Sequence, residues 1–256
     1  MHDYHVHSTY SDGRFIFSMV RAAEQAGLDG VGFADHCNVS EREAMADAKY
    51  ALGFNLDQTY ERRRKALERI RERADVAVYD GVEVDYDPRD EAEIESFLAE
   101  AEFQYTVGSV HHLEDVNVHF SGYFEDKSDA ELDALTEEYV DRLVRMVEEE
   151  LFDIAAHVDL LERTEVFRGR LTTDHYERIA DAFADSATVP EINAGRVTRS
   201  YGEFHPRPAL VAALEERGVA FTVGTDSHQP EEIGERVPLV RERFAELQAD
   251  PIDLGL

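Results

Sequence analysis

Seven short runs rich in Val, Ile, Phe and Tyr recur along the 256 residues, near 3–7, 29–34, 76–84, 103–110, 153–157, 189–193 and 219–225. Several lack the polar–apolar alternation of a half-exposed strand, as buried parallel strands do. Amphipathic helical patterns separate them. Met19, Ala22, Ala23 and Ala26 form one stripe, stopped by Gly27. Tyr60, Leu67, Ile70 and Ala74 mark a second helix, whose many arginines read as a solvated face. Ile94, Phe97, Leu98 and Ala101 mark a third. The fourth starts at a capping box, Ser128 with Glu131, ahead of Leu132, Leu135, Tyr139, Leu143, Met146 and Val147. Tyr176, Ile179 and Phe183 make a fifth, and Leu210, Val211 and Leu214, ended at Gly218, a sixth. Residues 231–247 give a seventh, interrupted or started late at Pro238.

Strand–helix alternation repeated seven times predicts an α/β fold, a parallel sheet with helices outside. A barrel and a doubly wound sheet both satisfy it. No linker, repeat or low-complexity tail divides the chain, so residues 1–256 are expected to form a single domain.

Composition narrows the setting. Acidic residues outnumber basic ones by 56 to 26, a net charge of −30, and the basic side holds only three lysines, Lys49, Lys65 and Lys127. An acidic, lysine-poor surface suggests a halophilic protein working in concentrated salt. The same charge disfavours broad nucleic-acid contact. A single cysteine, Cys37, excludes an intramolecular disulfide framework and a thiolate metal site, and its expected role is packing. No run approaches the ~18 consecutive apolar residues of a membrane span, and no signal-peptide pattern precedes the first histidines. The expected location is cytoplasmic, with no membrane partner.

The chemistry lies at the strand ends. His5 and His7 flank a valine, and side chains two apart on a strand share a side. The second run ends in Asp35-His36, the third in Glu83, the fourth in His111-His112, the fifth in His157, the sixth in Glu191-Ile-Asn193 and the seventh in Asp226-Ser-His228. In a parallel barrel the carboxyl ends form one mouth, whereas an open sheet spreads them along a line. Convergence therefore favours the barrel. Imidazole and carboxylate donors without thiolate suit Zn, Mn or Fe alike.

The order His5-x-His7, Asp12, His36, Glu83, His111, His157, Asp226-x-His228 resembles the polymerase-and-histidinol-phosphatase (PHP) family. Gly81-Val-Glu-Val-Asp-Tyr86, Gly108-Ser-Val-His-His112, Glu191-Ile-Asn-Ala-Gly195 and Tyr201-Gly-Glu-Phe-His-Pro206 are similar to its histidinol-phosphate phosphatase branch. The resemblance implies a distorted (β/α)7 barrel with its metal site at the carboxyl ends of the strands. It implies three divalent metal ions: His5, His7, Glu83 and Asp226 on the first, Glu83 bridging to a second with His111 and His157, and Asp12, His36 and His228 on the third. Asp12 has a competing role as cap of the helix that follows.

A phosphate monoester dianion repels hydroxide and expels an alkoxide, so its hydrolysis needs such help. The implied activity is that of a metal-dependent phosphoric monoester hydrolase acting through a metal-bridging hydroxide. Its most specific form is conversion of L-histidinol phosphate and water to L-histidinol and phosphate, in histidine biosynthesis. A metal-bound water, Asp226 and His112 are the candidate proton donors, and Asp226, Glu83 and His112 form the catalytic set. Arg163, Arg196 and Arg199 are candidate phosphate ligands, since a guanidinium grips phosphate bidentately. His112 has an alternative role supporting a ligand, and Asn193 could bind substrate or a ligand. His2 and His119 are expected in loops, His175 at a helix start and His205 beside a proline, all without a site role. Glu148-Glu-Glu150 reads as a solvated helix face.

Three rivals remain. A PHP phosphodiesterase or exonuclease acting on nucleotides, or on another small phosphate ester, keeps the site and changes the substrate; no basic, aromatic-interleaved groove supports it. A metal amidohydrolase would also open with His-x-His, but many bridge their metals with a modified lysine and no lysine here ends a strand. A non-catalytic acidic interaction protein predicts a decayed donor set, whereas this one is complete. Asp35-His-Cys-Asn-Val-Ser40 and Gly195-Arg-Val-Thr-Arg199, both bordering the pocket, depart from the usual histidinol-phosphatase pattern.

Overall fold

A computed structural model describes residues 1–256. Its seven main strands are β1 (His2–Val6), β2 (Gly30–Phe33), β3 (Ala77–Asp85), β4 (Tyr105–Ser109), β5 (Ile154–Ala155), β6 (Val189–Asn193) and β7 (Thr222–Gly224). Each pairs in parallel with the next along the chain. Nearly every position in them is buried on both faces, which explains the missing alternation. The ring closes between β1 and the segment after β7: Asp226 N donates to His5 O at 2.7 Å, and His7 N to Ser227 O at 3.0 Å. Asp3, fully buried, adds a side-chain tie by accepting from Thr225 N at 3.0 Å and Thr225 Oγ1 at 2.5 Å. The result is the expected distorted (β/α)7 barrel.

Eight main helices surround it: α1 (Ile16–Gln25), α2 (Glu43–Leu52), α3 (Tyr60–Arg71), α4 (Glu91–Ala101), α5 (Asp129–Glu148), α6 (Thr173–Ala184), α7 (Pro208–Glu216) and α8 (Pro230–Leu247). The capping box opens α5 as expected, with Ser128 N donating to Glu131 Oε2 at 2.9 Å. Pro238 does not interrupt the last helix, which runs unbroken through it from Pro230. Inside the barrel, Tyr4, Ala34, Tyr79, Tyr105, Val107, Ile154 and Ala156 form one cluster. Tyr105 fits because Gly32 and Gly81 leave room: a Cβ on either would lie within 2.3 Å of its ring or hydroxyl.

Two features escape the hydrophobic pattern. Helix α2 buries only Met45, so no stripe announces it. A small antiparallel hairpin, His112–Leu113 with Val116–Asn117, rises beyond β4. One expectation is corrected outright: the arginines of α3 are not all solvated. Arg63 is fully buried, its guanidinium 2.8 Å from Asp35 Oδ2 and 2.7 Å from Asp80 Oδ1. Arg64 pairs with the other oxygen of Asp80 at 2.7 Å. Arg62, Lys65 and Arg69 do face solvent.

Candidate metal centre and substrate cleft

The strand-end residues converge on one mouth. His5 lies on β1 and His7 just beyond it; Glu83 lies on β3, two residues before the strand ends at Asp85. His36 occupies its own short strand, His36–Cys37, paired to Glu83 and Val84 of β3. His111, His157, Asp226 and His228 follow β4, β5 and β7. His157 and Asp226 adopt φ of 29° and 51°, a left-handed conformation uncommon for residues with a side chain, and both aim into the mouth.

Glu83 is the centre. His5 Nε2 and His7 Nε2 lie 3.4 and 3.7 Å from its Oε2, and His157 Nε2 and His111 Nε2 lie 3.3 and 3.6 Å from its Oε1. The Nε2 atoms of His111 and His157 face each other at 3.3 Å. Asp226 Oδ1 is 3.4 Å from His7 Nε2. His36 turns Nδ1 toward Glu83 Oε2 at 2.7 Å and Nε2 toward Asp12 Oδ1 at 3.8 Å, so it sits between the Glu83 group and Asp12. His228 Nε2 is 3.2 Å from the same Asp12 oxygen. Asp12 does not cap α1, whose N-cap is Phe15 with no side-chain bond.

The donors fit a cation. His5 Nε2, His7 Nε2 and both oxygens of Glu83 are buried without a hydrogen-bond partner, although they point at one another. Buried polar atoms normally find partners, and four orphans converging on one space is the arrangement a metal ion satisfies. Three groups hold donor atoms all within 4.8 Å of one another: His5, His7 and Glu83; His36, Glu83 and His111; and His7, Asp12, His36 and His228.

Surrounding groups set the tautomers. Glu191 accepts from His5 Nδ1 at 3.0 Å and Asp85 from His111 Nδ1 at 2.5 Å, so both rings present Nε2 to Glu83. The carbonyl of Asp226 lies 3.0 Å from His228 Nδ1. Asp35, backed by Arg63, accepts from Ser8 N, Ser8 Oγ and Ser11 Oγ at 2.6–2.7 Å, tying down the loop between His7 and Asp12. Burial, helped by the nearby His228 and His36, pushes His7 down to about 4. Burial likewise holds His157 near 4, against the pull of Glu83. Both are thus neutral imidazoles, the form that ligates metal. For Glu83, burial is outweighed by His36, His5 and His111, which hold the carboxyl well below its usual range.

Beside this cluster opens a cleft of about 570 Å³ between α2 and the hairpin. Asp12, His36, Asp85 and His111 form its inner end, and Met45, Leu52, Phe54, Val116 and Phe120 supply an apolar wall. His112 lines it, with Nδ1 3.6 Å from Asp85 Oδ2. His119, in the turn after the hairpin, lines it too, its ring 5.9 Å from that of His111. His2 is part of β1 rather than of a loop, and His205 is fully buried. His175 does start a helix, closing the capping box of α6.

The arginines separate. Arg199 is pinned to Glu232 on the surface side. Arg163 and Arg196 are half-buried and form no salt bridge with any carboxylate, in a chain of −30 charge. Burial and the neighbouring charge of Arg196 push Arg163 down to about 10, while Asp226 and Glu83 pull it upward. It stays charged at neutral pH and close to the cluster. Sequence reasoning did not single out Asp85 as the partner of His111, and its acidic spacing beside Glu83 was the available signal.

A seven-stranded parallel barrel with a histidine–carboxylate cluster at its mouth defines the class. The PHP domain profile matches residues 3–195, and the chain belongs to the PHP domain family. Within that family its relatives come from the histidinol-phosphatase-like branch. A "Probable histidinol-phosphatase" of Deinococcus radiodurans is 28% identical over 219 residues, covering 84% of this chain and 81% of that protein. Two crystal structures share the fold. One, from Listeria monocytogenes and provisionally designated a histidinol phosphatase, has a TM-score of 0.77 at 19% identity, covering 93% of this chain and 99% of that one. The other is a histidinol phosphate phosphatase from Lactococcus lactis complexed with zinc, L-histidinol and phosphate, with a TM-score of 0.72 at 22% identity, covering 94% and 92%. No helix is long and apolar enough to cross a membrane.

Proposed function

We propose that this protein is a divalent-metal phosphomonoesterase that hydrolyses L-histidinol phosphate. The observation that carries the reading is the set of orphaned donor atoms around Glu83, next to two arginines with no carboxylate partner. His5, His7, Asp12, His36, Glu83, His111, His157, Asp226 and His228 would hold the ions. Bound there, divalent cations supply Lewis acidity toward phosphoryl oxygens and make water nucleophilic near neutral pH.

The chain's own residues do the rest. Arg163 and Arg196 bind the phosphate oxygens and keep the ester oriented for in-line displacement. Arg199, bound to Glu232, acts at most by steadying His228, whose backbone N–H donates to Glu232 at 2.8 Å. The cleft takes the alcohol part of the ester: its apolar wall suits a small ring, and Asp85 lies near the inner end for a cationic group. His112 on the cleft wall is the candidate proton donor to the departing alkoxide, with burial lowering its pKa and Asp85 working against that. Asp226, held well below its usual range where its histidine contacts outweigh burial, stays ionised and serves as a ligand and acceptor. Residues 1–256 work as one unit in this reading, because Asp226 and His228 lie beyond residue 195, where the family match ends.

Purified protein loaded with zinc is assayed against L-histidinol phosphate, an aryl phosphate and a nucleotide panel. Preferential turnover of the first supports the assignment; negligible turnover of it beside fast turnover of another overturns it. Activity that survives chelation, or a His7→Ala variant at full rate, overturns the metal reading.

A further inference from the structure

Arg163 and Arg196 come from different loops, and their like charges repel. Arg163 ends the turn Leu160–Arg163 after β5, and Arg196 lies on the excursion between β6 and α7. A guanidinium on a free loop would swing to the nearest carboxylate, and this surface has many. Something must hold the two loops together.

The only fully buried histidine–carboxylate pair outside the metal-type cluster lies between them. His205 Nδ1–H donates to Asp159 Oδ1 at 2.5 Å, and both side chains are completely buried. Asp159 directly precedes the turn that carries Arg163, and its other oxygen accepts from Arg207 N at 2.7 Å. On the opposite side His205 bonds to β6 in both directions: Asn193 N donates to His205 O at 2.7 Å and His205 N to Asn193 O at 3.0 Å. The ring stacks on Tyr201 at 4.9 Å. A second tie runs parallel, Arg207 to Glu162 at 2.6 Å.

We propose that His205 is a positioning residue: its bond to Asp159 clamps the Arg196 loop against the Arg163 turn and sets the spacing of the two guanidinium groups that take the phosphate. In this role it acts through the two arginines. The clamp rests on the phosphatase reading above, and it deepens it: phosphate affinity depends on a bond buried behind the site. A charge-assisted bond between buried groups is strong and directional, which suits it to hold two repelling groups at a set distance.

Two variants separate the bond from mere packing. His205→Phe keeps the ring on Tyr201 and removes the donor; His205→Asn keeps a donor near the Nδ1 position and removes the ring. Each is measured as the zinc-loaded protein for inorganic phosphate binding by calorimetry, for KM and kcat, and for metal content. The clamp predicts that His205→Phe binds phosphate about tenfold more weakly and raises KM similarly, with kcat and zinc content little changed, while His205→Asn stays near wild type. The reverse order, or unaltered phosphate affinity in His205→Phe, overturns it. A wild-type protein that hydrolyses no phosphomonoester instead overturns the underlying phosphatase reading. Phosphate binding reports on the clamp independently of turnover.

Discussion

His5 Nδ1–H donates to Glu191 at 3.0 Å, and that bond decides which nitrogen of the ring faces Glu83. Glu191 also accepts from His157 N at 3.1 Å and from Asn193 Nδ2 at 2.7 Å, so one carboxylate orients donors from β1 and from the end of β5.

Replacing Glu191 with Gln should therefore cost metal affinity without removing a ligand. The amide can no longer accept with both atoms, and His5 loses its fixed tautomer. A weakening of about 10–100-fold is expected, read by competition with a chromophoric chelator. Wild-type affinity in that variant would show that Glu191 orients nothing.

Arg63→Met should destabilise the fold rather than alter chemistry directly. It leaves the buried Asp35 without its cationic partner and Asp80 with Arg64 alone, a loss of about 3–5 kcal/mol, measured by urea unfolding of the metal-free protein. Since Asp35 holds Ser8 and Ser11, metal binding by His7 and Asp12 should weaken as well. A change below about 1 kcal/mol, as for exposed pairs, would count against this role.

Gly195→Ala should reach the site by direct collision. The new Cβ would lie 2.3 Å from Asp226 Oδ2 and 2.9 Å from Asn193 Oδ1, so the carboxylate must move. Misplacement on the ångström scale can lower kcat/KM about 100-fold. Steady-state kinetics on protein shown to be folded by circular dichroism provide the check, and an unchanged rate would exclude Asp226 from the reaction.

Metal uptake should strengthen as pH rises. Burial alone would lower His36, but Glu83 outweighs it and holds the ring up to about 10. Glu191 and Glu83 likewise keep His5 well above its ordinary value against burial. At neutral pH the metal-free protein keeps the extra proton on His36, and a cation must displace it. Each proton released makes apparent affinity climb about tenfold per pH unit between 6 and 8. Calorimetric titrations in buffers of different ionisation enthalpy count those protons; none released would contradict the arrangement.

The fold was legible because its signals are local. Buried strands announce themselves by continuous apolar runs, and the Ser128–Glu131 box is complete within four residues. Donor residues were legible at each strand end, where the barrel brings them together. Arg63 was not, because among neighbouring arginines nothing in α3 marks the one whose partners, Asp35 and Asp80, lie on the sheet. His205 escaped for the same reason: its partner Asp159 is 46 positions away. Helix α2 offers one buried residue, too few to show a period.

Closure of the ring has a consequence for the order of events during synthesis. Asp3 and Thr225, bonded across the seam, are 222 positions apart, and His5 shares that seam with Asp226. Translation delivers His5 and His7 before Asp226 and His228, and the two sets cannot meet until the residues between them have emerged. Contacts so distant in sequence form slowly. The half-made chain thus carries a partial donor set, and full metal occupancy becomes a certificate that the final strand has docked.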